Sequence, residues 1–167
     1  NTFEKYPFEL SNFQKWAIKG ITENKSVLIT AHTGSGKTLP AEYAIEYYVS
    51  QGKKVIYTCP IKALSNDKIK SLENKYPDIS FGILTGDVKN NPEADVLIMT
   101  TEILRNTLFQ KQLLKTNTNI SHELLHFDMD IENELAAVVF DEIHYIGDKH
   151  RGSVWEETLM MLPKHIT

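Results

Sequence analysis

The chain is 167 residues long, carries a formal net charge of −4, and is 41% hydrophobic with a single cysteine. That length and apolar content support one sizeable core. They exclude an internal disulfide, a uniformly basic nucleic-acid binder and a membrane helix, since no apolar run approaches the roughly 18 residues a span needs, although a local basic groove stays open.

Taken in chain order, residues 1–25 read as an arm whose Phe13, Trp16, Ala17 and Ile18 pack it onto the core. Val27-Leu28-Ile29-Thr30 is a β-branched run that predicts a strand over 26–30. It empties into Ala31-His32-Thr33-Gly34-Ser35-Gly36-Lys37-Thr38. A strand, a glycine-bearing loop and a following helix are what a triphosphate cradle requires. Gly34 and Gly36 let successive N–H groups point inward, and the new helix adds the positive end of its dipole. Lys37 is placed to reach the β- and γ-phosphates, and the Thr38 hydroxyl to ligate Mg²⁺. One departure stands out: the pattern G-x-x-x-x-G-K-[ST] has glycine where this chain has Ala31.

A helix is expected from Lys37 to about Ser50, stopped at Gln51-Gly52, then a strand over 54–58 and a helix from about Ile61 to Tyr76, stopped at Tyr76-Pro77-Asp78. Further strands are expected at 79–84 and 96–100, with a helix from Thr101 to about Lys115. Residues 116–134, loop-like at first and then acidic through Asp128, Asp130, Glu132 and Glu134, read as a surface insertion with one short helix. Leu135 to Phe140 is an apolar run that ends in Asp141-Glu142-Ile143-His144, the signature of a buried parallel strand with acids at its C-terminal tip. A last helix is expected over 153–162. Strands alternating with helices imply an α/β fold, a mostly parallel sheet with helices on both faces. Ligands of such sheets sit beyond the strands' carboxyl ends. Asp141 is thereby placed to hold Mg²⁺ through water, and Glu142 to orient and deprotonate the attacking water.

With these two motifs in place, the whole chain resembles the first RecA-like domain of a superfamily 2 DExH-box RNA helicase, most closely the superkiller-like, exosome-associated branch. The resemblance implies a RecA-like P-loop domain over 26–167 and an adenine-reading arm over 1–25. In Phe8-Glu9-Leu10-Ser11-Asn12-Phe13-Gln14 it gives Phe8 the stacking role and Gln14 the pairing role on the base. The amide supplies the donor and acceptor that adenine's N6 and N7 need. Cys59 to Asn66, Gly86-Asp87 and Thr100 to Arg105 resemble three strand-contacting segments. They make Pro60, Lys62, Ala63, Gly86, Asp87, Thr100, Thr101 and Arg105 the expected RNA contacts, gripping sugar-phosphate without reading sequence. His144 is implied to couple nucleotide state to the following segment and to a second domain. ATP and Mg²⁺ are the implied cofactors. The implied partners are single-stranded nucleic acid (RNA above DNA) and a second RecA-like domain of the same polypeptide, with no membrane and with 116–134 as a possible docking point for a protein complex. The chain starts and stops as though cut from something longer, before the Ser-Ala-Thr segment of this family.

Other readings compete. His122-Glu123-Leu124-Leu125-His126 matches the H-E-x-x-H pattern of zinc proteases, without a third ligand at a known spacing. A surface helix facing Leu124 and Leu125 to the core also accounts for it. A DNA helicase of the same superfamily shares the same engine, and a P-loop protein could use ATP only as a switch. The lone Cys59 fits a reducing compartment, so an intracellular setting, cytoplasmic or nuclear, is expected. No secretory leader is visible at Asn1, and the sequons at Asn24 and Asn119 read as accidental.

Overall fold

The interior strands are buried along their length, with successive side chains entering two different cores, and that division sets the architecture. In β1 (Lys54–Cys59), Val55, Tyr57 and Cys59 face one core and Ile56 the other. The same split runs through β2 (Phe81–Leu84) and β4 (Val96–Thr100), so both faces of the sheet are covered. On one face α1 (Asn12–Thr22), α2 (Thr38–Val49) and α3 (Lys62–Lys75) supply Ile18, Ile45 and Leu72 to a common core. On the other, α4 (Thr101–Thr116) supplies Ile103, Leu104 and Leu108, and α5 (Gly152–Met161) packs against α4. The structure is a computed structural model and describes residues 3–32, 34–116, 127, 129–143 and 152–167.

The sheet order is β3-β2-β4-β1-β5, where β3 is Lys89–Asn90 and β5 is Leu135–Phe140. Every pairing is parallel except the short β2–β3 hairpin. Gly82 makes that hairpin possible, because a Cβ there would come within 2.1 Å of the Asn91 carbonyl oxygen. Registers Cys59↔Thr100, Thr58↔Phe140 and Leu84↔Met99 bring the C-terminal ends of four parallel strands to one rim.

Four features differ from the sequence reading. Residues 26–30 form no strand ladder, and Leu28 is 74% exposed. At β5 the pairing groups bond instead to Thr167, whose N–H donates to the Ala136 carbonyl and whose carbonyl accepts from Val138, both at 3.0 Å. A β-branched run without a neighbouring strand has nothing to hold it as one. The arm contains a helix, α1, that buries Ala17 and Ile18 but leaves Trp16 70% exposed, beneath the Lys19 ammonium. The β3 edge was not expected. Finally, the acidic stretch is not all surface: Phe127, Met129 and Ile131 are buried in the second core at alternate positions. No helix among the described residues is long and apolar enough to cross a membrane.

Candidate functional site

The cradle loop carries the conformations its glycines permit. Gly34 and Gly36 have φ of 83° and 80°, in the left-handed region that side chains resist. Ser35 closes the turn: its N–H and hydroxyl donate to the His32 carbonyl at 3.2 and 2.6 Å. Lys37 caps α2 and Thr38 opens it. Thr33 lies outside the described residues.

Gln14 reaches this loop from α1. Its Oε1 accepts the Ser11 N–H at 2.9 Å, capping its own helix, and its Nε2 donates to the Gly36 carbonyl at 3.0 Å. One amide therefore ties the arm to the loop, and Gln14 is buried in doing so, 6% exposed. Phe8 stands 53% exposed with Tyr6 as its ring neighbour, open to stacking.

Helix α2 carries the chain from the loop back to the sheet. The 12 residues of α2 span about 18 Å. A short turn then returns the chain into β1, whose six residues run about 20 Å the other way. Helix α2 packs on both β1 and β5, the strand that ends at Phe140 just before Asp141.

At the tip of β5, Asp141 is firmly held. Its N–H donates to the Thr58 carbonyl at 3.0 Å. Its Oδ2 accepts the Tyr57 hydroxyl at 2.6 Å and lies 3.5 Å from the Lys68 ammonium of α3. Its Oδ1 accepts the Glu142 N–H at 2.9 Å. Glu142 has φ of 57°, a left-handed conformation rare for a residue with a side chain. Burial above all, then the Asp141 charge, pushes the Tyr57 phenol far above its ordinary pKa, so it remains a proton donor at any working pH. Burial likewise pushes the Cys59 thiol up to about 11, which leaves it unreactive. Beside the acids a cleft of about 260 Å³ opens toward Leu64, Asp67 and Ser71. Tyr57 and Lys68 were missed by sequence reasoning. A tyrosine inside a buried strand was a usable signal, since its hydroxyl needs a partner. Nothing in the sequence marked Lys68.

The donors here suit Mg²⁺. A nucleotide-borne magnesium takes hard oxygens and only one or two protein ligands. Asp141 keeps an acceptor direction on Oδ1, and Thr38 offers a hydroxyl at a helix start. The described residues contain no cluster of three or more His, Cys, Asp or Glu that could hold a bare ion.

The expected strand-contacting segments follow the ends of β1, β2 and β4 on the same rim. Ala63, Gly86 and Asp87 are exposed, and Pro60 and Thr100 are half-buried. Lys62 is ion-paired with Asp87, joining the first segment to the second. Arg105 pairs through Nε with Glu157 of α5. Exposed pairs of this kind contribute about 0–1 kcal/mol, so both cations can exchange partners readily. Thr101 is 5% exposed, with a hydroxyl that has no hydrogen-bond partner among the described residues. A strand contact there falls to backbone N–H groups of the first turn of α4 rather than to its side chain. His144, and the His122, Glu123 and His126 of the zinc-protease pattern, lie outside the described residues.

Known proteins share this sequence pattern and this fold. The DEAD/DEAH box helicase family pattern matches residues 11–167. The chain is 43% identical to "Antiviral helicase SKI2" of Saccharomyces cerevisiae over 166 residues, covering 99% of this chain and 12% of that protein. It is 44% identical to the human "Exosome RNA helicase MTR4" over 163 residues, covering 98% of this chain and 14% of that protein. It thus spans about an eighth of the length of these relatives. The crystal structure of the DUF1998 helicase MrfA bound to DNA and AMPPNP shares the fold, with a TM-score of 0.69 at 19% identity over 96% of this chain and 24% of that one. With the family pattern covering nearly every residue and relatives of the superkiller and exosome helicases along its whole length, this chain belongs to the DEAD/DEAH box helicase family.

Proposed function

We propose that this chain is the ATP-binding motor domain of an RNA helicase that couples ATP hydrolysis to movement along single-stranded RNA. What supports the reading is the pairing of two features: a rim where the Asp141-Glu142 tip and the three strand-contacting segments follow the carboxyl ends of β5, β1, β2 and β4, and a Gly34–Thr38 cradle that opens α2. Phe8 stacks on the adenine and Gln14 reads its edge. Lys37 and the loop N–H groups hold the phosphates. Thr38 and Asp141 hold Mg²⁺, which neutralises charge on the phosphates when bound. Glu142 takes the proton of the attacking water, and His144 relays nucleotide state onward. A second RecA-like domain of the same polypeptide supplies an arginine to the γ-phosphate. Lys62 and Arg105, released from Asp87 and Glu157, meet backbone phosphates, as do N–H groups near Pro60, Ala63, Gly86, Thr100 and Thr101. The setting is intracellular, cytoplasmic or nuclear, and the 116–134 segment can serve a larger complex.

The test is ATP turnover by the full-length protein with single-stranded RNA, single-stranded DNA or neither. RNA-selective stimulation is expected. DNA-selective stimulation would make it a DNA helicase, and turnover indifferent to both would reduce the site to a nucleotide switch.

A further inference from the structure

We infer that Tyr57 and Lys68 are positioning residues that pin Oδ2 of Asp141 and so leave Oδ1 as the oxygen that meets the nucleotide's magnesium. The inference rests on the nucleotide-binding reading above and names two residues which that reading does not use.

An ionised carboxylate offers about four acceptor directions. The Tyr57 hydroxyl takes one on Oδ2 at 2.6 Å, and the Lys68 ammonium approaches the same oxygen at 3.5 Å. The Glu142 N–H takes one on Oδ1, which keeps the other. Neither partner is loosely placed. Tyr57 is 1% exposed in the middle of β1, and Lys68 rises from α3 with its ammonium 5.5 Å from the centre of the Tyr57 ring. Lys68 thus contacts both members of the hydroxyl–carboxylate pair. The Tyr57 hydrogen bond and the Lys68 ion pair on Oδ2 together oppose rotation of the carboxylate about its Cβ–Cγ bond and the exchange of its oxygens. Partners that orient a ligand in this way commonly govern metal affinity by about 10–100-fold.

The full-length protein is titrated with a fluorescent ATP analogue at increasing Mg²⁺, and separately in EDTA. Tyr57→Phe and Lys68→Met should each raise the Mg²⁺ concentration needed for tight binding by about tenfold. Both should bind the analogue in EDTA as the wild type does, which also certifies that they fold. Lys68→Arg, which keeps the charge beside Oδ2, should recover most of the loss. An unchanged Mg²⁺ requirement in both variants would overturn the inference, as would a lower requirement in Lys68→Met, which would make Lys68 a competitor of the metal. Wild-type binding that ignores Mg²⁺ would overturn the inference too, whereas a wild type that binds the analogue at no Mg²⁺ concentration would overturn the nucleotide reading itself.

Discussion

Glu142→Gln should stop nucleic-acid-stimulated ATP turnover while leaving ATP binding intact. The substitution keeps the side-chain length and asks nothing new of the backbone, which already holds φ of 57° at this residue. It removes the capacity to accept a proton from water together with the carboxylate's charge. General-base loss of this kind lowers rates by about 10²–10⁴. Affinity for ATP should hold or rise slightly, because a negative charge near the polyphosphate is gone. Turnover under saturating RNA and equilibrium binding of a labelled ATP are the two readings required. Wild-type turnover in the variant would remove Glu142 from the chemistry.

Gly36→Ala should cripple nucleotide binding through a contact that no motif announces. Any side chain at φ of 80° is strained, at a cost of about 1–2 kcal/mol. The added Cβ would also lie 2.6 Å from Gln14 Nε2. Gln14 cannot step aside freely, because its amide caps α1 through the Ser11 N–H and holds the Gly36 carbonyl. Moving it loosens the adenine-reading arm and the phosphate loop together. Each 1.4 kcal/mol is about tenfold in affinity, so a loss beyond tenfold is expected. Gly34→Ala is the natural control: its φ is 83°, but a Cβ there meets nothing within 4 Å. It should bear the backbone strain alone and bind better than Gly36→Ala. Equal affinities for the two variants would show that the Gln14 contact has no bearing on nucleotide binding.

What the sequence disclosed follows from how local each signal was. Strands β1, β4 and β5 were legible because buried parallel strands are continuous apolar runs, and helices α2, α3 and α4 because glycine, proline or a polar segment ends them. The order of the sheet was not written in any one segment, yet alternation and short crossovers narrowed it to a parallel α/β sheet. The reading failed where structure depends on a neighbour. Residues 26–30 carry strand propensity without a ladder partner, while Phe127, Met129 and Ile131 carry a burial pattern hidden among acids. The site divides along the same line. Gly34, Gly36, Lys37, Thr38, Asp141 and Glu142 are contiguous in two short motifs and so could be read directly. Tyr57 and Lys68 touch Asp141 from 84 and 73 positions away, and only folding brings them there. The Lys62–Asp87 and Arg105–Glu157 pairs were equally invisible, since each joins segments read separately.

The central claim is that one magnesium nucleotide is shared by the loop near the start of the chain and the acids late in it. Crystals of the protein grown with manganese and a non-hydrolysable ATP analogue test it directly, because manganese is located by its anomalous scattering. The account predicts a single peak within about 5 Å of both the Thr38 hydroxyl and the Asp141 carboxylate, a distance that allows one bridging water. A metal bound at one of these groups and remote from the other, or phosphates seated away from Gly34–Thr38, would contradict it.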